Sequence, residues 1–321
     1  MLKKISAIIG LALATMLSPA MGDEYPSKPI RVVVGFAPGG GTDLLGRVLA
    51  DKLTAKLGQT VVVENKPGAG GTIGAAEVAR SAPDGYTLLV GTQGMMSSAP
   101  FAVNPPPYDP INDFEHISLL ATSHLLLYVH DDFPAKDFAE LVKVVQENPG
   151  KYTYASAGHM GPAHMFTELL SRSVDLPMRH IPYAGDGKAT PDVLGGVVPI
   201  WASGAGAFPS YKQGKIRALV TSGPERWSEI PEAPTVAELG YPEATTTYYN
   251  HLLAPKGTPV EIVNKLHEAI VEIYKDKDAT DKILASGVIP QTLPPAETLE
   301  TVKEDVALWK DIVANLVAAK K

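Results

Sequence analysis

The stretch Val32-Val33-Val34-Gly35-Phe36-Ala37-Pro38-Gly39-Gly40-Gly41-Thr42-Asp43 constrains this chain more than any other. Its β-branched run reads as a buried strand. Three consecutive glycines then let the backbone turn sharply or come close to another group. Thr42 or Asp43 can cap a helix beginning there, in which Leu44, Leu45, Val48, Leu49, Leu53 and Leu57 recur at helical spacing. A strand, a glycine turn and a helix start together present free N–H groups that can hold an anion. The plainer reading is that the glycines only make a tight turn and Thr42 only caps the helix.

The first 22 residues read as an export signal. Met1-Leu2-Lys3-Lys4 is basic, Ile5 to Leu17 is apolar, and Ser18-Pro19-Ala20 or Ala20-Met21-Gly22 offers small residues for cleavage. The apolar run is too short to span a bilayer. The chain contains no cysteine, which removes disulfides, thiolate ligands, cysteine nucleophiles and a lipidated N-terminal cysteine. Its formal charge is −7, and loss of Lys3 and Lys4 takes the mature chain to −9. That balance, with no basic patch, argues against a nucleic-acid partner. A small anion in a cleft is still compatible with it, because backbone groups can bind one locally.

The strand–loop–helix pattern recurs. Val61 to Val63 precedes Asn65-Lys66-Pro67-Gly68-Ala69-Gly70-Gly71-Thr72, and Tyr86 to Val90 precedes Gly91-Thr92-Gln93-Gly94. These units predict parallel α/β architecture, with loops gathered at the strands' C-terminal ends. Further on, Tyr152 to Ala155 leads into Ser156-Ala157-Gly158-His159-Met160-Gly161 and a helix, a second unit able to face the first. The expected organisation is a first domain over 23–120, a second over 121–245, and a return segment with a C-terminal helix over 246–321. The stripe Val302, Val306, Trp309, Val313 and Leu316 has no strand after it, so that helix is expected to pack back across the first domain.

Several chemistries fail on spacing. Gly41 is followed by Thr42-Asp43 with no lysine, so there is no phosphate-binding P-loop, and Leu44 and Ile73 stand where a dinucleotide fingerprint needs its last glycine. No Gly-x-Ser-x-Gly elbow is present, and nothing in the spacing of Ser156, Ser203, His159 and His164 demands a triad. His159 and His164 are five residues apart, off the spacing of a helical metal-binding pair. Neither a metal nor any other cofactor is implied.

The motifs Tyr25-Pro26-Ser27-Lys28-Pro29-Ile30-Arg31, Pro38 to Asp43, Val63-Glu64-Asn65-Lys66-Pro67-Gly68-Ala69-Gly70-Gly71, Pro83-Asp84-Gly85-Tyr86-Thr87-Leu88-Leu89 and His180-Ile181-Pro182-Tyr183 occur in order. Leu194-Gly195-Gly196, Gly214 to Leu219, Pro234 to Glu238 and Leu252 to Pro259 continue the series. Together they resemble the substrate-binding proteins of tripartite tricarboxylate transporters, the Bug family, over nearly all of the mature chain. The resemblance implies a periplasmic protein of a Gram-negative bacterium with a two-domain, type II periplasmic-binding-protein-like α/β fold. It also implies no catalysis, and closure on a small organic carboxylate that is delivered to a two-component membrane permease. The protein is expected to act as a monomer. An exported accessory protein of a sensor is the alternative, and an exported enzyme acting on small carboxylates is a weaker one.

In this family one carboxylate is held by the two facing loops, which match Gly39, Gly40, Gly41 and Thr42 on one side and Ser156, Ala157, Gly158, His159, Met160 and Gly161 on the other. Thr92, Gln93, Tyr183, Asp186, Ser203, Gly204, Ala205 and Tyr249 complete the expected ligand-binding set. The chain departs from the family pattern at His159-Met160-Gly161-Pro162, at Gly185-Asp186-Gly187 where a serine and a small residue are commoner, and at Pro199 to Ala205. Ligand choice is expected to be written there, and a mono- or dicarboxylate with a less polar middle is the expected ligand.

Overall fold

The computed structural model describes residues 25–319, so the expected signal segment lies outside the described residues. The chain runs β1 (Ile30–Val34), α1 (Gly41–Leu57), β2 (Val61–Asn65), α2 (Thr72–Ala79), β3 (Thr87–Thr92), α3 (Gln93–Ser97) and β4 (Phe114–Ser123). It continues through β5 (Leu126–His130), α4 (Phe138–Gln146), β6 (Thr153–Ser156), α5 (Pro162–Val174), β7 (Arg179–Pro182), α6 (Asp186–Leu194), β8 (Ile200–Ser203), α7 (Phe208–Lys212) and β9 (Ile216–Thr221). It ends with β10 (Tyr248–Pro255), α8 (Val260–Ile273), α9 (Lys277–Ala285), β11 (Ile289–Pro290) and α10 (Pro295–Ala319).

Two sheets divide these strands. The first has the order β11-β4-β10-β3-β1-β2 and the second β7-β6-β8-β5-β9. Each is built on the same plan. β1 lies between β2 and β3 with parallel pairing, as β6 lies between β7 and β8. Next in each sheet comes one antiparallel strand, β10 or β5. A wholly parallel arrangement is therefore corrected to mixed sheets. β5 enters the second sheet straight after β4, and β10 enters the first from the second lobe, so both join from the opposite direction. The matched plan sets the loops after β1 and β6 in equivalent places, facing one another.

Each sheet carries its own core. Val32, Val33, Val34, Leu88, Leu89, Val90, Leu119 and Leu253 pack with Leu45 and Leu49 of α1 and with Leu266 and Ile270 of α8. In the second lobe Leu127, Val129 and Ile200 pack with Phe138, Leu141 and Phe166. Burying each such side chain is worth about 1.5–3 kcal/mol, which makes each lobe a stiff support for its loops. α1 stops at Gly58, where a left-handed backbone (φ 68°) lets the cap N–H bond to Thr54 O at 3.1 Å. This fixes the length of the helix whose other end enters the cleft.

α10 packs on β4 and α3 in the first lobe. It also reaches the second: Trp309 and Val313 form one apolar cluster with Met160 and Met165. The side chain of Leu316, expected in this stripe, lies outside the described residues.

Candidate functional site

A cleft between the lobes is lined from the first by Phe36, Gly40, Gly41, Thr42 and Tyr248. From the second it is lined by Leu125, Ser156, Ala157, Gly158, Gly161, Pro162, Ala163, Asp186, Ser203, Gly204, Ala205 and Gly206. The lobes meet around it. Ala37 N–H donates to Ala184 O at 3.0 Å, and Ser98 Oγ donates to Met160 O at 2.7 Å. At Gly41 the approach is tight, since a Cβ there would stand 2.4 Å from the Cβ of Ala205. Glycine at this position is a condition of closure.

Two helices begin in the cleft. α1 starts after Gly40, with no side chain capping it, and its first intrahelical bond is Leu44 N–H to Gly40 O. The N–H groups of Gly41, Thr42 and Asp43 therefore precede the helical ladder. α5 starts after Gly161, again with no side-chain cap, and its ladder begins at Met165 N–H to Gly161 O. The two N-termini add their positive ends on one space, an arrangement suited to an anion.

Asp43, a carboxylate beside the glycine turn, lies outside the cleft lining. Its Oδ2 accepts from Gly39 N–H and Arg47 Nε, and its Oδ1 accepts from Asn65 Nδ2. Burial alone would raise this carboxyl, but the bonds from Arg47, Gly39 and Asn65 outweigh it and hold it below the usual range. Asp43 therefore fastens the glycine turn. Thr42 Oγ1 lies 3.2 Å from Tyr248 OH, which also accepts from Asn250 Nδ2 at 3.1 Å. Burial raises the Tyr248 phenol to about 12, so it stays a neutral hydroxyl at the cleft wall.

Several residues expected at the site stand elsewhere. The N–H of Gly39 is spent on Asp43, outside the lining. Thr92 caps α3 by accepting from Met95 N–H, and it lies behind Tyr248. Gln93 is buried and approaches Asp305 of α10. Met160 packs its side chain on Trp309. Tyr249 also turns toward Asp305, because neighbours on a strand face opposite ways and its predecessor Tyr248 takes the cleft side. His159 and Tyr183 line an adjoining space between the lobes with Gly68 to Gly71, and Tyr183 OH donates to Asp192 at 2.6 Å. Of the lining residues, Phe36, Leu125, Pro162, Ala163, Gly206 and Tyr248 lie outside the expected set. Strand alternation puts Tyr248 and Tyr249 on opposite faces of β10, but which of them meets the cleft follows only from the pairing of that strand.

His159, His164 and His180 bring one ring nitrogen each within 4.8 Å of the others. The rings of His164 and His180 stack face to face, 3.9 Å apart and 12° from parallel. A metal binds in the plane of an imidazole at about 2.0–2.1 Å, and two stacked rings cannot both direct a lone pair at one ion. His164 Nδ1 also accepts from Met160 N–H at 2.9 Å, which commits that lone pair. The cluster braces the loop after β6: His180 Nε2 lies 2.7 Å from Ser156 Oγ.

Comparison with known proteins places this cleft in a family. The sequence profile of the tripartite tricarboxylate transporter family receptor, TctC, matches residues 45–317. Protein BugT of Bordetella pertussis is 35% identical over 326 residues, covering 99% of both chains. An R. palustris protein solved with adipate superposes with a TM-score of 0.86 at 29% identity, covering 92% of this chain and 98% of that one. MatC from Rhodopseudomonas palustris, solved with bound malate, gives 0.84 at 32% identity, covering 90% and 100%. The architecture is that of type II periplasmic binding proteins. The chain belongs to the TctC/Bug family of tripartite tricarboxylate transporter receptors and is a periplasmic substrate-binding protein, not an enzyme.

Proposed function

We propose that this receptor captures a small organic carboxylate between its lobes and, as a monomer, hands it to a two-component membrane permease of the same transporter class. The observation that carries this reading is the convergence of the α1 and α5 N-termini, neither capped by a side chain, on one cleft. The N–H groups of Gly41 and Thr42, the hydroxyl of Thr42 and, from the second lobe, the N–H of Ala163 are the contacts assigned to the carboxylate. The relatives solved with adipate and malate support the same ligand class.

The donors come from both lobes, so a carboxylate held on one gains its second set only on closure. The ligand then favours the closed state by differential affinity. Charge-assisted hydrogen bonds contribute roughly 1.5–3 kcal/mol each, and three of them offset ordering costs well enough for micromolar binding. The test is calorimetric titration of the mature protein, freed of co-purified ligand by partial unfolding and refolding, with aliphatic, hydroxylated, amino-substituted and aromatic carboxylates. Saturable binding of one class, with the ligand recovered unchanged, supports the reading. Absence of binding across all classes contradicts it.

A further inference from the structure

Asp186 places a second carboxylate inside a cleft built to attract one. It opens α6 from the second lobe and meets the glycine turn of the first, where a Cβ on Gly40 would lie 3.7 Å from its own Cβ. Its Oδ1 accepts from Ser203 Oγ at 2.8 Å and from Trp201 Nε1 at 3.2 Å. Both donors are buried on β8, so this oxygen is fully engaged and the side chain is held in one orientation. Oδ2 lies beside Gly206, where a Cβ would come within 2.2 Å of it. Among the described residues no protein group donates to Oδ2. Asp186 and Gly206 both line the cleft.

We propose that Asp186 is a specificity-determining residue, and that the ligand carries, besides the carboxylate held at the helix N-termini, a proton-donating group — an ammonium or hydroxyl — that bonds to Asp186 Oδ2. This inference rests on the carboxylate-capture reading and narrows it. A ligand whose far end is a second carboxylate places like charge against Asp186 in a space with little water, which is strongly unfavourable. An amino or hydroxy acid satisfies both ends: its carboxylate takes the N–H groups, and its donor completes the carboxylate of Asp186. Burial raises the Asp186 carboxyl to about 6, with the Ser203 and Trp201 bonds pulling against that rise. An ionised side chain in such a setting gains most from a cationic neighbour. The expected less polar middle is retained between the two polar ends, beside Phe36 and Leu125.

The test uses acids with the same number of methylenes between their polar ends, on the whole mature protein: succinate against 3-aminopropanoate and 3-hydroxypropanoate, and adipate against 5-aminopentanoate and 5-hydroxypentanoate. Calorimetric titration should give at least about tenfold tighter binding for the donor-bearing member of whichever length fits. D186N keeps the shape and the acceptor facing Ser203 and Trp201, and should narrow that ratio to less than about twofold, mainly by gaining affinity for the diacid. Equal or tighter diacid binding by the natural protein overturns the proposal while leaving carboxylate capture intact, and so does a ratio unmoved by D186N in a protein of unchanged melting temperature. The natural-protein ratio stands whether or not the variant folds. Failure of every one of these probes in a protein that binds another class of carboxylate overturns this inference alone, and absence of binding across all the classes titrated above overturns the capture reading with it.

Discussion

Gly41 at the start of α1 and Ala205 after β8 touch across the cleft so closely that a Cβ on Gly41 would stand 2.4 Å from the Cβ of Ala205. Gly41 opens a helix of the first lobe and Ala205 follows β8 of the second, yet Ala205 packs into the apolar core of the first lobe, so their contact exists only while the lobes are together. Closure and the proposed ligand contact are thereby joined at one place, since the N–H of Gly41 is among the donors that precede the helical ladder of α1.

Valine at position 41 should therefore hold the lobes apart. G41V is expected to fold, because the added methyls meet Ala205 at the lobe contact and not the sheet interior, and to lose carboxylate affinity by on the order of a hundredfold as the second set of donors is withdrawn. Titration calorimetry beside circular dichroism checks this. Unchanged affinity in G41V places the carboxylate elsewhere.

The hydroxyls of Thr42 and Tyr248, 3.2 Å apart, act as one unit with Asn250. T42V removes a cleft-wall donor and leaves a buried partner less satisfied, with an expected affinity loss of roughly 1 kcal/mol, about fivefold. Y248F should cost a similar amount. The double variant should cost less than the sum of the two, as neighbours sharing a hydrogen bond are not additive. A titration series on the four proteins measures the coupling, and strict additivity would count against the network.

A second buried pair sets the pH response. His116 on β4 and His251 on β10 face each other across the sheet with ring centroids 5.6 Å apart. Burial lowers His116 to about 4, and burial with the proximity of His116 lowers His251 well below its ordinary value. Between pH about 4 and the unfolded value near 6.5, the folded state binds fewer protons than the unfolded chain. Stability is then fully present above that window and is lost as pH falls through it, by on the order of 3 kcal/mol for His116 alone. Urea unfolding at pH 7.5 and 5 should show the drop. Replacing both histidines by leucine should flatten it, and a pH dependence undiminished in H116L/H251L would assign the effect to other groups.

Much of this arrangement was legible in the residues. The valine run, the glycine turn and the leucine stripe of α1 each follow from local rules, and the repeat of that plan at Tyr152 to Gly161 announced a facing loop. What local rules lacked was direction. β10 looks like any apolar strand, and only its pairing shows it antiparallel with Tyr248 rather than Tyr249 toward the cleft. Gln93 and Met160 sit in loops of the right kind, yet α10 lies behind them and takes their side chains through Asp305 and Trp309. That helix is more than 130 residues away in sequence, beyond the reach of spacing arguments. Asp186 was visible as a departure from the family pattern, but its fixed orientation needs Ser203 and Trp201 from a different strand.

Small-angle X-ray scattering tests most directly whether a carboxylate is what holds the lobes together. The mature protein, freed of co-purified ligand, is measured alone and with a saturating carboxylate identified by calorimetry, alongside G41V under the same conditions. The natural protein's radius of gyration should fall on ligand addition, and its scattering should then match the closed structure, while G41V stays expanded. A carboxylate that binds the natural protein saturably and leaves the scattering curve unchanged would contradict ligand-driven closure.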